Sequence, residues 1–445
     1  MFENIKKAFT DKDIRKKILL TVLFIVIYRL GCFIPVPGID VSSFAEYFKS
    51  SLSYLGIMNA ITGGSLSQGT LLALGVGPYI NASIIIQLLT AAIPSLEKLS
   101  KQGEEGRKKI EKITRYLTIG LAIIQATGIV IAYKSALDTA ILSPIAGENY
   151  TKLGWLVGIF VVIMLTAGSS FTMWIGERIT EYGVSNGMSM LIFVGIISTA
   201  ASSIANAIAA IASGNTAAIG TLIGFLVLVV IIFGGIVFMD GGERRIPVQY
   251  AKQVKGRKMY GGQSTHIPIR INASGVLPLI FAYAIINFPT MLASMFWPEG
   301  GFVKWWGNYV GGTGEIWVGK VINPILLGIL IIFFAYFYSS IQFDPREVSK
   351  NMQENGGFIL GIRPGYPTAE YLGKVSTRLT LIGALFLAIL AIVPSLIFGL
   401  IGASSVGLLN AFSATGMLIC VSVALEFNKA IESQLLMKQF RGFLK

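Results

Sequence analysis

Ten long apolar runs divide this chain and leave few folds open to it. A bilayer core about 30 Å thick needs roughly 20 apolar residues in helical form to cross it. Backbone polar groups in lipid must bond within the chain, and the sequence has no alternating barrel pattern, so helices are the spanning element that fits. The runs lie near residues 18–36, 76–93, 116–133, 153–173, 188–212, 217–239, 273–296, 318–343, 379–399 and 405–426. The sequence therefore predicts an all-α polytopic membrane protein with ten transmembrane helices.

The distribution of charge predicts the orientation of these helices. Hydrophobic residues make up 53% of the chain and charged residues 13%, and the net charge is +13. With a cytoplasmic N-terminus, the inner segments hold 30 of the 36 Lys and Arg residues. The excess of Lys and Arg in cytoplasmic loops therefore predicts that both termini are cytoplasmic. Most of these charges are expected to set topology and to contact lipid headgroups.

Counting the runs also predicts two halves, residues 1–212 and residues 213–445. Each half holds five runs, and an odd number of crossings gives the two halves opposite orientations. This permits a pseudo-symmetric inverted repeat, with any pathway at the interface between the halves.

Residues 61–75, ITGGSLSQGTLLALG, are apolar enough to enter a membrane but too short and too rich in Gly and Ser to cross it. Such a segment is either a surface loop or a re-entrant half-helix, and the latter requires surrounding protein or a water-filled cavity. Gly75, Gly77 and Pro78 mark a break before the next crossing helix. A half-helix, a break and a full helix point to a cavity at this place.

Two inner connections, residues 240–272 and 344–378, are too long and too charged to be simple turns. Loops of this size in a compact membrane protein are usually functional. The first mixes basic with β-prone residues, and the two loops together predict docking of a large acidic partner.

The sequence offers no catalytic or metal-binding arrangement. His266 is the sole histidine and has no acid, nucleophile or second ligand in a motif around it. Cys32 and Cys420 lie far apart without metal-ligand spacing and are expected to be apolar fillers. We therefore expect no enzyme activity, no metal and no cofactor.

Six stretches distributed over the chain are distinctive as a set. They are FIPVPGID (33–40), GGSLSQGTLLALGVGPYINASIIIQLL (63–89), GERITEYGVSNGMS (176–189), YGGQSTHIPIRINASGVLP (260–278), GIRPGYPT (361–368) and TRLTLIGA (377–384). In sequence and in order they resemble the SecY family, the channel-forming subunits of the bacterial Sec protein translocase, and the match is far more specific than one short motif. The resemblance implies a channel that translocates unfolded polypeptides across the bacterial cell membrane and releases hydrophobic segments into lipid through a lateral gate.

The resemblance also implies four groups of site residues. An apolar pore ring would consist of Val76, Ile80, Met188, Ile192, Ile280 and Ile419. Polar positions at the lateral gate would be Gln87, Thr118 and Asn272. The plug, a re-entrant half-helix in that family, would occupy residues 61–75 and include Gly63, Gly64, Ser65, Leu66 and Ser67. Docking to the motor and the ribosome would use Arg244, Arg245, Lys255, Arg257, Lys258 and Arg363.

The same resemblance implies the partners. These are the small membrane subunits SecE and SecG, the SecA motor ATPase, and the ribosome through its RNA backbone. Signal peptides, nascent or precursor polypeptides and membrane lipids complete the set. Contacts to RNA would be made to backbone phosphates and not to bases.

Two other functions compete with this interpretation. A polytopic secondary transporter also has inverted repeats and broken helices, but it usually carries ionisable residues within its membrane segments, and none lies centrally here. An insertase-like protein or an intramembrane enzyme would need a polar groove or a catalytic pair, and neither is evident in the sequence.

Overall fold

The structure is a computed structural model. It describes residues 9–39, 41, 59, 62–132, 154–213, 217–250, 253–255, 258–260, 264–272, 274–296, 300–311, 317–401 and 414–442. The helices in chain order are α1 (Lys12–Gly31), α2 (Gly77–Ala92), α3 (Pro94–Ser100), α4 (Glu104–Ala132), α5 (Gly154–Tyr182), α6 (Gly187–Ala212), α7 (Ala217–Gly241), α8 (Leu277–Phe296), α9 (Gly301–Tyr309), α10 (Trp317–Gln342), α11 (Pro345–Glu354), α12 (Tyr366–Ile401) and α13 (Ala414–Gly442). The strands are β1 (Glu243–Tyr250), β2 (Gln253–Lys255), β3 (Lys258–Tyr260), β4 (Ser264–Arg270) and β5 (Gly357–Phe358).

Each predicted apolar run overlaps a helix of the described residues. The ten runs overlap α1, α2, α4, α5, α6, α7, α8, α10, α12 and α13 in order. Among the described residues, six helices are individually long and apolar enough to cross a membrane. A seventh span is counted if α2 and α3, which are bent by 106°, form one crossing. The helical membrane-spanning class is confirmed, and the count of ten crossings is consistent with these helices.

Polar side chains fix where several helices begin. The Asp11 carboxylate accepts from the backbone N–H of Asp13 over 2.9 Å and so starts α1. The Asn186 side chain accepts from Met188 N over 3.1 Å at the start of α6. Each cap satisfies backbone donors that the first helical turn leaves without partners.

Two helices begin about twelve residues before their apolar runs. Helix α4 begins at Glu104, although its run begins at residue 116, and α12 begins at Tyr366 instead of residue 379. The added turns are charged and carry i,i+4 ion pairs, such as Glu370 with Lys374 at 2.8 Å. The difference arises because apolarity marks the part of a helix that crosses lipid, whereas the helix itself continues into water.

A small sheet combines strands of the 240–272 connection with β5 of the 344–378 connection. Strand β1 pairs antiparallel with β4 and with β5, giving the order β4-β1-β5. Ile246 and Val248 alternate along β1 and are buried, because successive residues of a strand face opposite sides. They join an apolar cluster with Ile269, Met352 and Leu372. The two long connections, residues 240–272 and 344–378, therefore share one core.

The chain forms two compact units by spatial contact. The first contains Met1–Leu226, Ala284–Asn323 and Ile397–Lys445, and the second contains Val227–Tyr283 and Pro324–Leu396. The unit boundaries fall inside α7, α8, α10 and α12 and do not follow the predicted halves. The division into halves 1–212 and 213–445 related by an inverted repeat stays a prediction.

Each unit has its own helix packing. In the first unit, α4 packs on α2 and α5, and α6 packs on α5 and α13. In the second unit, the hydroxyls of Ser339 on α10 and Thr380 on α12 lie 2.7 Å apart in a buried hydrogen bond. The Phe281 ring of α8 lies against Phe334 and Tyr338 of α10, with centroids 5.3 and 5.0 Å apart.

Candidate functional site

The segment of residues 62–76, called the plug segment here, lies before α2 and is built from turns. The sequence predicted a re-entrant half-helix over 61–75, and this detail differs from the structure. The physical reason lies in the glycines. Gly63 and Gly64 have φ values of +72° and +87°, and a right-handed helix cannot continue through this left-handed conformation.

Side-chain hydrogen bonds replace the helical ladder in the plug segment. The Asn59 side chain accepts from Ser67 N over 2.9 Å, and its backbone carbonyl accepts from Gly64 N over 2.8 Å. The Ser65 hydroxyl donates to the Thr62 carbonyl over 2.8 Å, and Ser65 is buried. Buried backbone groups without such partners would be costly at membrane depth. The segment is therefore an ordered, buried structure even though it is not a helix.

The residues that follow α1 hold the far end of the plug segment. Val36 N donates to the Gly69 carbonyl over 3.0 Å, and Leu71 N donates to the Ile34 carbonyl over 2.8 Å. Pro35 and Thr70 form the bridge between these two bonds. The stretch FIPVPGID, recognised in the sequence as a family signature, thus has a structural task, which is to pair with the plug segment.

Apolar contacts fix the segment against two membrane helices. Leu66, Ala73 and Leu74 are buried in one cluster with residues of α4 and α5, among them Ala122 and Val161. Burial of a leucine side chain contributes about 1.5 to 3 kcal/mol, whereas glycine and serine contribute much less. Of the predicted plug residues Gly63, Gly64, Ser65, Leu66 and Ser67, Leu66 alone is a large buried apolar side chain.

Five of the six predicted pore-ring residues lie in the first unit. Val76 caps α2 and is 1% exposed, and Ile80 lies in the first turns of the same helix, half-buried. Met188 and Ile192 are buried in the first two turns of α6, and Ile419 is buried in α13, which packs on α6. Ile280 belongs to the second unit, half-buried at the start of α8. That these six residues form one pore ring stays a prediction.

The three predicted gate residues each make a hydrogen bond inside their own unit. Gln87 is exposed on α2 and donates to the Ser83 hydroxyl over 3.2 Å. Thr118 is buried in α4 and donates to the Thr114 carbonyl over 2.7 Å. Asn272 is buried and donates to Asp240 over 3.4 Å. Their role at a gate stays a prediction.

Residues 240–272, the first predicted docking loop, present charges from strand β1. Arg244 and Arg245 are exposed on β1, while Ile246 beside them is buried in the shared core. The hydrogen bond from Arg245 holds the pKa of the Glu243 carboxyl below its ordinary value, with the charges of Arg245, His266 and Arg270 acting in the same direction. Lys255 and Lys258 occupy opposite positions in the backbone pairing of β2 with β3. Arg257 lies outside the described residues.

Arg363 lies on a turn between β5 and α12, in residues 344–378, the second predicted docking loop. Its side chain is exposed, and its backbone carbonyl accepts from the buried Thr368 hydroxyl over 2.8 Å. Gly361 and Gly365 on either side have φ values of +80° and +94°, which favour glycine. The turn therefore presents the Arg363 guanidinium to water on a short and well-defined backbone.

Sequence reasoning missed two residues that contact the plug segment, Asn59 and Arg29, and also Ser198, which bonds to Arg29. Asn59 binds it through two oxygens, and Arg29 and Ser198 meet beside Gly63. The signal for Arg29 was present, because it is an ionisable residue inside the first apolar run. The signals for Asn59 and Ser198 were absent, since a lone amide or hydroxyl near a turn or on a helix is common. No group of three or more metal-ligating side chains occurs among the residues that the structure describes.

Comparison with known proteins gives long and collinear matches. The SecY family model matches residues 70–428. The protein translocase subunit SecY of Corynebacterium glutamicum is 42% identical over 456 residues, covering 99% of both chains.

Solved structures give the same fold at lower identity. A structure concerned with the plug domain of the SecY protein has a TM-score of 0.63 at 20% identity, covering 94% of this chain and 92% of that chain. The Sec61 channel in a canine ribosome-channel complex from the endoplasmic reticulum has a TM-score of 0.62 at 20% identity, with the same coverage. A family match over most of the chain and 42% identity over 99% of its length leave one assignment. The chain belongs to the SecY family.

Proposed function

We propose that this chain is the protein-conducting channel subunit of a bacterial Sec translocase. It would pass unfolded polypeptides across the cell membrane and release hydrophobic segments into lipid. The observation that best supports this function is the plug segment, a buried and turn-built stretch among helices long enough to span a membrane. Non-helical backbone is tolerated at that depth only inside protein or beside a cavity. A channel for unfolded chains needs a segment that closes it at rest and that a substrate can displace.

The apolar ring supplies the second part of the seal. Val76, Ile80, Met188, Ile192, Ile280 and Ile419 carry only aliphatic or thioether side chains. A narrow constriction of this composition expels water and so blocks ions when it is empty. It also offers no specific partner to a passing chain, so that substrates of any sequence can cross. Met188 suits an adaptable ring because its thioether side chain is flexible.

The polar side chains proposed for the gate, two amides and one hydroxyl, fit a contact between helices that must open. A hydrogen bond between helices in a membrane contributes about 0.6 to 2 kcal/mol. Gln87, Thr118 and Asn272 are proposed to line the seam through which a signal peptide or membrane segment leaves. Bonds of this size are readily exchanged for water or for a substrate segment, so polar side chains at the seam would make its opening less costly.

The two basic loops are proposed to bind two partners. One carries negative charge, and the other is the motor that supplies energy for translocation. Arg244 and Arg245 are exposed on β1, and with Lys255, Arg257 and Lys258 they are proposed to meet the phosphate backbone of ribosomal RNA. Arg363 is proposed to meet the SecA motor. SecE and SecG are proposed as membrane partners, with both termini of this chain in the cytoplasm.

Reconstitution tests the proposed function. The chain would be inserted into vesicles with SecE and SecG, and ATP-dependent import of a secretory precursor by SecA would be measured by protease protection. We expect import that requires ATP, SecA and a signal peptide. Vesicles with SecE and SecG alone provide the control.

The same vesicles separate this function from that of a secondary transporter. A transporter would accumulate a small solute along an ion gradient without SecA and would not protect a precursor from protease. Protection of the precursor from protease in vesicles that lack this chain would contradict the proposed channel. So would a lack of protection when this chain and all other components are present and active.

A further inference from the structure

Arg29 is a charged residue inside the first apolar run, in the last turn of α1. A charge in such a segment is costly to hold and usually marks a functional position. The side chain is half-buried, and its guanidinium carbon lies 5.8 Å from the centre of the Phe33 ring. None of the pore, gate or docking roles uses this residue.

The Arg29 guanidinium lies where three parts of the first unit meet. Its Nη2 donates to the Ser198 hydroxyl of α6. Its Nη1 lies so close to Gly63 of the plug segment that a Cβ built on Gly63 would overlap it. The same Cβ would lie 3.2 Å from the Cα of Gly195 on α6. The cation therefore presses against the first turn of the plug segment from the side of α1.

The contact leaves part of the guanidinium without a hydrogen bond. Nη1 of Arg29 is buried and has no hydrogen-bond partner within the described ranges. A buried donor on a charged group loses its water and gains nothing in return when it is unpaired. The seated plug segment thus holds the cation in an unfavourable environment. Movement of Gly63 away from Nη1 would let water reach that nitrogen.

We propose that Arg29 biases the plug segment toward displacement. The uncompensated nitrogen destabilises the seated state, while the bond to Ser198 keeps the guanidinium in place and limits that effect. Arg29 is thus a positioning residue that lowers the work a substrate must do to move the segment. The inference rests on the proposed plug role of residues 62–76. It adds the residue that sets the balance between the two states.

The proposal makes two substitutions act in opposite directions. Arg29→Met keeps much of the side-chain length and removes the charge and its donors, so the seated state should gain stability. Ser198→Ala removes the hydroxyl acceptor and leaves the cation less satisfied, so displacement should increase. In the Arg29→Met background, Ser198→Ala should change nothing further, because no guanidinium remains to be satisfied. A packing role for Arg29 would instead make both single variants loosen the segment.

Labelling of a thiol in the plug segment measures the balance. Ser67→Cys would be placed in a chain carrying Cys32→Ala and Cys420→Ala, since these are the natural cysteines. Ser67 is half-buried and its backbone N–H is bonded to Asn59, so movement of the segment should speed the reaction of a thiol at this position with a small reagent. We expect about tenfold slower labelling in Arg29→Met and several-fold faster labelling in Ser198→Ala.

Two further measurements keep the outcomes distinct. Labelling of the parent Ser67→Cys chain must rise when a precursor occupies the channel, and a flat response there would reject the plug role itself. If that rise occurs but Arg29→Met labels at the parent rate or faster, the inference about Arg29 is overturned and the plug role stands. Arg29→Gln serves if Arg29→Met fails to accumulate, because it also removes the charge and should likewise slow labelling.

Discussion

Asn272 donates a hydrogen bond from its Nδ2 to Oδ1 of Asp240 over 3.4 Å. Asp240 lies in the last turn of α7 and Asn272 follows β4, so the bond closes the base of the first docking loop. Asn272 Oδ1 is buried without a hydrogen-bond partner among the described residues. One side of this amide is therefore held inside the second unit, and its other side still lacks a donor. A proposed gate residue with an unused acceptor can respond to what enters the seam.

The gate proposal predicts a shift in the hydrophobicity needed for membrane insertion. Gln87→Leu with Asn272→Leu removes two amides from the proposed seam and fills it with apolar contact. The balance should move toward the closed state by about 1 kcal/mol or a little more. Since a leucine contributes about −0.5 kcal/mol to insertion, a test segment should need two or three more leucines for half-insertion. A graded Leu/Ala series scored for insertion against translocation gives the midpoint.

Asn206→Leu is the matched control for this experiment. It removes an exposed amide from α6, which lies outside the proposed seam. Its midpoint should equal that of the parent chain. A double variant with the parent midpoint would reject a gating role for Gln87 and Asn272.

The seal proposal predicts ion leakage when the ring is made polar. Ile192→Ser places a hydroxyl in the proposed constriction, where it should favour water entry and lower the barrier to ions. Resting conductance of channels in a planar bilayer should rise. Ile197→Ser is the control on the same helix, because Ile197 is 47% exposed whereas Ile192 is 8% exposed. Equal conductance in both variants would indicate that Ile192 contributes only to helix packing and not to the seal.

The sequence was most informative where one physical requirement dominates. The need for about 20 apolar residues per crossing located helices such as α6 and α10 to within a few residues. It could not locate the start of α4 at Glu104, because a charged helix in water and a charged loop have similar composition. The strand β1 was suggested by its β-prone residues, but its pairing with β5 joins positions about 110 residues apart. Such pairing depends on packing that no local pattern records.

The plug segment illustrates the same limit inside the candidate site. Its length and its glycines predicted a non-spanning segment before α2, and the structure has one there. The predicted helical form was wrong because four glycines take positive φ values, among them Gly63 and Gly64. A glycine permits that conformation without requiring it, so the bonds to Asn59 decide the outcome.

The proposed topology predicts one-sided labelling of single cysteines. Tyr366→Cys lies at the start of α12 beside the second docking loop and replaces a side chain that is 73% exposed. Phe302→Cys replaces a side chain that is 49% exposed on α9, in the connection between α8 and α10. With both natural cysteines replaced, an impermeant thiol reagent added to intact cells should label residue 302 alone. Inverted vesicles should give the opposite result, and labelling of residue 366 from outside would contradict cytoplasmic docking loops.

The motor-docking proposal predicts that the sign of charge at Arg363 matters. Arg363→Glu places a carboxylate on an exposed turn that is held by two glycines with positive φ. Reversed charge slows association and weakens contact when the partner surface is complementary to the original charge. Export driven by SecA and ATP should therefore be much slower at equal channel abundance, and raising the concentration of SecA should restore part of it. The measurement is the initial rate of precursor import into vesicles, recorded over a range of SecA concentrations.

Lys350→Glu gives the same change of charge on α11 in the same connection, where Lys350 is exposed and pairs weakly with Glu354 at 3.9 Å. If the two variants slow import equally, the loss reflects net charge near the membrane and Arg363 has no particular contact with the motor.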